Sequence, residues 1–183
     1  MNAILIILTI IGCIFCVLLI IGLFSKKEYT IERSVTIIKP VIEVFTYIKF
    51  LKNQDYYNKW VMTDPNMKKE FRGNDGTDGF IYAWDGNNKA GAGEQEIKKI
   101  EDSKRIDMEI RFSRPFKGIV QTFMETGSVI HPIDNDESTM VKWVFSSKLK
   151  YPANIFLLFM TIEKTLGKDL ELSLANLKTI LEK

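Results

Sequence analysis

Polar and apolar residues divide the chain into segments of different period. Residues 3–24 carry no charge, and 19 of those 22 are apolar. At about 1.5 Å per residue a helix of that length covers roughly 33 Å, close to the bilayer hydrocarbon core of about 30 Å. Beyond it, Tyr29, Ile31, Val35 and Ile37 alternate with Thr30, Glu32, Ser34 and Thr36, the period of a half-buried strand. Pro40 then opens a helix at a position where its missing N–H costs nothing. Val41, Val44, Phe45 and Ile48 form its apolar stripe. Residues 55–60 read as a second short helical or irregular piece.

Period two returns between residues 67 and 148, in short runs separated by Gly73-Asn74-Asp75-Gly76, Asp85-Gly86-Asn87-Asn88, Glu101-Asp102-Ser103, Arg114-Pro115 and Asp134-Asn135-Asp136. Turn clusters at this spacing predict an antiparallel meander of about six strands. Ile106, Met108, Ile110 and Phe112 give the clearest dry face, while Phe80, Tyr82 and Trp84 form one row of large side chains and Val141, Trp143 and Phe145 another. The run 119–130 has apolar residues on both parities, so its inward face stays open. After Pro152 the period lengthens: Ile155, Phe159, Ile162, Leu166, Leu170, Leu174, Leu177 and Leu181 trace one helical stripe, with Asn154 as its N-cap. The expected class is α+β, a curved antiparallel sheet with one long amphipathic helix. Residues 29–183 form the domain, residues 25–28 a linker and residues 1–24 a transmembrane helix.

Composition adds limits. A domain of this size buries roughly 68–70% of its unfolded surface, which excludes disorder and a disulfide scaffold. All 25 Lys and Arg and all 23 Asp and Glu lie beyond residue 24, and the net charge is +2; such a balance predicts no nucleic-acid partner. Cys13 and Cys16 both fall in the apolar leader, leaving the domain without a disulfide or a cysteine zinc site. A cleaved signal would want a basic start and an apolar run of about 7–15 residues. Here no Lys or Arg precedes the run, which is longer, and Ser25-Lys26-Lys27 is a poor cleavage context. Ile10-Ile11-Gly12-Cys13 imitates a lipoprotein box, but a further mostly apolar stretch follows it. A single-pass span is therefore expected, with Lys26 and Lys27 placing the C-terminal domain in the cytoplasm by the positive-inside rule.

The order β, α, α, six β, α, with its local marks, resembles the START-like superfamily also called SRPBCC, and within it the polyketide cyclase/dehydrase-like bacterial proteins. Those marks are Arg33-Ser34-Val35-Thr36-Ile37 with Lys39-Pro40, Lys59-Trp60 before Asp64-Pro65, and Tyr82-Ala83-Trp84-Asp85-Gly86-Asn87. Further on come Gly91-Ala92-Gly93-Glu94-Gln95-Glu96-Ile97, Phe112 through Pro115-Phe116, Val141-Lys142-Trp143, and Gly167-Lys168-Asp169-Leu170-Glu171. The resemblance covers about residues 28–182. It implies a helix-grip: a seven-stranded antiparallel sheet wrapped around the C-terminal helix over an apolar cavity. The apolar leader is no part of that core, and Ser173 stands where relatives often carry glycine.

Catalytic material is sparse. His131 is the only histidine and reads as a solvated loop residue, and no Ser/His/Asp set, phosphate loop or metal-ligand spacing is present. Glu94 and Glu96 share a strand face among charged neighbours and read as solvated. Trp60, Tyr82, Trp84, Phe112, Phe123 and Trp143 come from segments that would face the long helix, and they either fill the core or line a ligand cavity. Arg33, Tyr82 and Gln95 are the candidate polar contacts; Arg33 shares the parity of Ile31 and Val35, so it points inward or sits near a strand end. The expected function is cofactor-free, non-catalytic binding of a hydrophobic small molecule such as a lipid or isoprenoid, beside the membrane that the N-terminal helix enters. The rivals are a cyclase or dehydratase acting on polyketide-like substrates, and an adaptor without ligand.

Overall fold

Each stretch of period two becomes a strand. The computed structural model of the chain describes residues 3–130, 137–159 and 162–183. Helix α1 (Ala3–Phe24) precedes strand β1 (Glu28–Ile37), and helices α2 (Val41–Ile48) and α3 (Gln54–Tyr57) follow, the latter flanked by single 3-10 turns at Leu51–Asn53 and Val61–Thr63. Strands β2 (Lys68–Arg72), β3 (Ile81–Asp85), β4 (Ala92–Glu101), β5 (Arg105–Arg114), β6 (Gly118–Ile130) and β7 (Glu137–Lys148) make the meander. Helices α4 (Phe156–Phe159) and α5 (Ile162–Leu181) close the chain. All seven strands form one antiparallel sheet in the order β1-β7-β6-β5-β4-β3-β2. Thus β1 pairs with β7, from Glu28↔Lys148 to Ile37↔Thr139, and not with the strand that follows it.

Register settles the parity of β6. Met124 lies opposite Trp143 and Thr122 opposite Phe145, so Val120, Thr122 and Met124 face inward and are buried. The apolar residues on the other parity, Ile119 and Phe123, lie on the outer face. There Phe123 is covered by the Arg105 guanidinium 3.6 Å from its ring centroid. Irregular register in β4 at Ala92/Gly93 and Ile97/Lys99 supplies the bulges that bend a sheet.

Helix α5 fills the concave face. Leu170, Leu174 and Leu177 are fully buried at the i, i+4, i+7 spacing of one helical face. It runs in the direction of β1 and is tied to it along its length. Arg33 Nε donates to Glu171 Oε1 at 2.6 Å, Lys178 Nζ to the Thr36 carbonyl at 2.6 Å, and the Ile38 N–H to Glu182 at 2.7 Å. Ser173 is buried; its hydroxyl accepts the Lys59 N–H and donates to the Asp169 carbonyl, so it docks the α3 region onto α5.

The C-terminal helical stretch is entered through a 3-10 turn at Ala153–Ile155. Pro152, not Asn154, occupies the N-cap position of that turn. Asn154 is fully buried inside the 3-10 turn, and its Nδ2 donates to the Gly22 carbonyl of α1 at 2.7 Å. The docking is close: a Cβ on Gly22 would come within 2.5 Å of Ile155 Cγ1, so glycine admits the approach without displacing Ile155. Helix α1 has the length and apolarity to cross a membrane, with none of its apolar window buried. His131 lies outside the described residues.

Candidate functional site

Between the sheet, the first turns of α5 and the α3 segment lies a cavity of about 240 Å³. Trp60, Tyr82, Trp84, Gln95 and Phe112, five of the eight residues singled out from sequence, line it. They converge because β3, β4 and β5 present their inward parity here: Tyr82 lies opposite Gln95, and Gln95 opposite Ile110. Trp84 and Phe112 meet edge to face at 5.8 Å, a favourable geometry for two rings. Trp84 anchors its indole N–H on the Ala90 carbonyl at 3.2 Å. The ring fits over β4 because residue 93 is glycine: a Cβ there would lie 2.9 Å from Trp84 and 2.6 Å from the Arg111 carbonyl oxygen.

The other three lie elsewhere. Trp143 is fully buried and does not line the cavity; its ring stands nearly perpendicular to that of Trp60, a lining residue, at 6.5 Å between centroids. Its N–H donates to Thr122 Oγ1, which donates on to the Val144 carbonyl, so its polar atom is satisfied within the core. Phe123 is on the outer face of β6. Arg33 points toward α5 but is held by Glu171, its guanidinium filling the space over Gly167. Alternation alone does not separate an inward side chain that lines a cavity from one that clamps a helix.

The polar groups of the cavity include several that the sequence did not mark. Tyr82 donates its hydroxyl to Asp55 Oδ1 at 2.7 Å, and Lys69 donates to Asp55 Oδ2 at 2.7 Å. Burial, the bond to Asp55 and the Asp55 charge all push the Tyr82 phenol above its ordinary range, so it stays protonated. Gln54 and Asn58, one helical turn apart, also line the cavity and are 2% and 6% exposed. Their orientations follow from one fixed donor. The Trp60 N–H can only donate, and it faces Asn58 Oδ1 at 3.0 Å. Asn58 Nδ2 therefore turns to Gln54 Oε1 at 2.8 Å, which leaves Gln54 Nε2 buried and, among the described residues, without a partner. Gln95 Nε2 donates to the sulfur of Met108 at 3.0 Å, a weak acceptor. The sequence signal for Gln54 and Asn58 was their i, i+4 spacing, which places two amides on one face.

A second depression, about 450 Å³, lies over the outer face of β4 and β5. It is open and floored by charges already paired, Arg111 with Glu94, Glu96 and Glu109, and Arg114 with Asp85. Among the described residues no cluster of three His, Cys, Asp or Glu side chains could hold a metal ion.

No family model matches the sequence, and no curated protein matches it significantly. Solved structures do match. Truncated norcoclaurine synthase from Thalictrum flavum superposes with a TM-score of 0.59 at 12% identity, covering 87% of this chain and 97% of that one. A protein from Chromobacterium violaceum gives 0.55 at 11% identity over 84% and 97% of the two chains, and Ara h 8.0201 gives 0.54 at 13% over 84% and 97%. Together with the seven-stranded sheet gripping α5, these matches show that the chain has the START-like, helix-grip fold.

Proposed function

We propose that this protein is a membrane-anchored binding module for an apolar small molecule bearing one hydrogen-bond acceptor, held in the cavity under α5 without chemical conversion. The observation that carries this reading is the buried, unpartnered amide Nε2 of Gln54, a residue of a cavity otherwise lined mostly by aromatic and aliphatic side chains. An unmet buried donor costs about 1–3 kcal/mol, and a ligand oxygen removes that cost. An apolar cavity of about 150 Å³ accepts benzene. One of about 240 Å³ therefore suits a molecule of one or two rings, or a short isoprenoid, and is too small for a whole diacyl lipid. Binding without conversion is supported by the state of Tyr82 and Asp55: the phenol is held protonated, and the carboxylate is engaged by both Tyr82 and Lys69. Membrane anchoring is supported by the length and apolarity of α1, and a cytoplasmic domain by Lys26 and Lys27 beside it.

The test is calorimetric titration of the full-length protein in nanodiscs with 2-acetylnaphthalene as probe, against protein-free nanodiscs. Saturable binding is expected, with a stabilisation of about 2.7 kcal/mol at 100 times the dissociation constant. Val120→Trp, which fills the cavity from β6, abolishes it. Equal heats from wild type and V120W would refute the cavity as the site, and turnover of the probe would favour an enzyme.

A further inference from the structure

We propose that the cavity end of the domain is seated in the headgroup region of an anionic bilayer, with the β5–β6 turn and residues 151–158 as its contact surface, so that ligand enters from the membrane. This rests on α1 being a span. The level of the membrane follows from Gly22, which is buried while the other described residues of α1 remain at least partly exposed. It lies two residues, about 3 Å of helix rise, inside the end of α1, and it is covered by Ile155 and Tyr151 and bonded to Asn154. Residues 151–155 are therefore level with the last turn of the span, which is where a spanning helix meets the headgroups.

Sheet register brings the rest of this surface to the same end. Glu28 pairs with Lys148, Phe112 with Gly118 and Ala92 with Arg114, so the β3–β4 turn, the β5–β6 turn and the chain after β7 all leave the sheet on the side of α1. There the protein exposes Phe116 (83%), Phe156 (64%), Ile119 (54%) and Leu158 (50%). Lys26, Lys27, Lys117, Lys148 and Lys150 accompany them. Apolar and aromatic side chains framed by lysines next to a span match an interface of acyl chain and anionic headgroup. The cavity opens on this side as well. Of its lining residues the exposed ones are Lys89, Arg114 and Pro115, on the β3–β4 turn, the end of β5 and the β5–β6 turn at this end.

The experiment reconstitutes the full chain in vesicles of phosphatidylcholine and phosphatidylserine with brominated acyl chains, which quench tryptophan by contact. Three variants are compared: F116W and I119W at the proposed surface, and I38W beyond the far end of β1, about 30 Å away. The expected result is loss of the added emission in F116W and I119W relative to unbrominated vesicles, with I38W at the native background. Quenching of both surface variants no greater than that of I38W, in protein that stays with the vesicles through an alkaline wash, overturns the proposal and leaves the span intact. Release of the protein by the wash overturns the span, and with it the basis of the proposal.

Discussion

Gln54→Met is the substitution that separates a ligand-binding amide from a structural one. In the wild type Oε1 of Gln54 accepts from Asn58 Nδ2 while its own Nε2 is unpaired. Methionine, of similar length, removes the unpaired donor but leaves Asn58 Nδ2 without an acceptor. One buried donor is unmet before the change and one after it. The lost hydrogen bond is worth about 0.5–1.5 kcal/mol net, and burial of the apolar side chain offsets part of that. Stability should therefore change by less than about 1 kcal/mol, a shift of roughly 2–4 °C in Tm for a chain of this size. Ligand choice should change far more. 2-Acetylnaphthalene and 2-isopropenylnaphthalene have the same shape, and only the ketone can accept from Nε2. The ratio of their dissociation constants in wild type, divided by the same ratio in Q54M, isolates the contact. A donor worth about 1–3 kcal/mol predicts a change of about tenfold, rising to on the order of a hundredfold. Calorimetry on the two proteins measures it, and a double ratio within about twofold of unity would refute the assignment of Gln54 as the ligand's donor.

Other substitutions test the frame around the cavity. Gly93→Ala should cost about 1–3 kcal/mol through overpacking and change the Trp84 fluorescence, because the new Cβ meets the indole and the Arg111 carbonyl; an unchanged denaturation midpoint would count against the close approach. Leu174→Ala, at a fully buried α5 position, should cost about 2–5 kcal/mol, read from urea denaturation at constant slope. On the outer face, Arg111 and then Arg72 hold the Glu94 carboxyl below its ordinary range, and Lys98 and then Arg111 do the same for Glu96. Depressed carboxylates contribute stability above their unfolded pKa of about 4.3 and lose it as pH falls through the folded value. Arg111→Met should therefore destabilise at neutral pH and converge with wild type as the medium is acidified; a gap that widens on acidification would contradict this sign. Gly22→Leu should free residues 151–155 from α1, seen as faster amide exchange there with the sheet amides unchanged.

Much of this architecture is written in the sequence because periodicity survives folding. The alternation of Ile106, Met108 and Ile110 became β5, and the leucine stripe became α5, since each element buries one face. Position 154 was misassigned for a physical reason. An asparagine two residues after a proline looks like a helix cap, and nothing local reveals that its partner is a backbone carbonyl 132 residues earlier. The candidate site divides the same way. Large inward residues of β3 and β5 were legible as either core or cavity wall, and Arg33, which shares an inward parity, is spent on Glu171. The i, i+4 spacing of Gln54 and Asn58 gives them one face but not what that face meets, so the approach of Gln54 to the cavity and of Asp55 to Tyr82 exists only once α3 is folded over the sheet.

The pairing of β1 with β7 sets the order in which this chain is completed at the ribosome. Ile37 must wait for Thr139, roughly 5 to 20 seconds of translation at about 5–20 residues per second. Through that interval β1 is an open edge, and an open edge recruits other strands. Neighbouring ribosomes on one message bring identical edges together. A chain stopped short of residue 137 never closes its own, so truncation should show first as coaggregation with the intact protein and only then as lost binding.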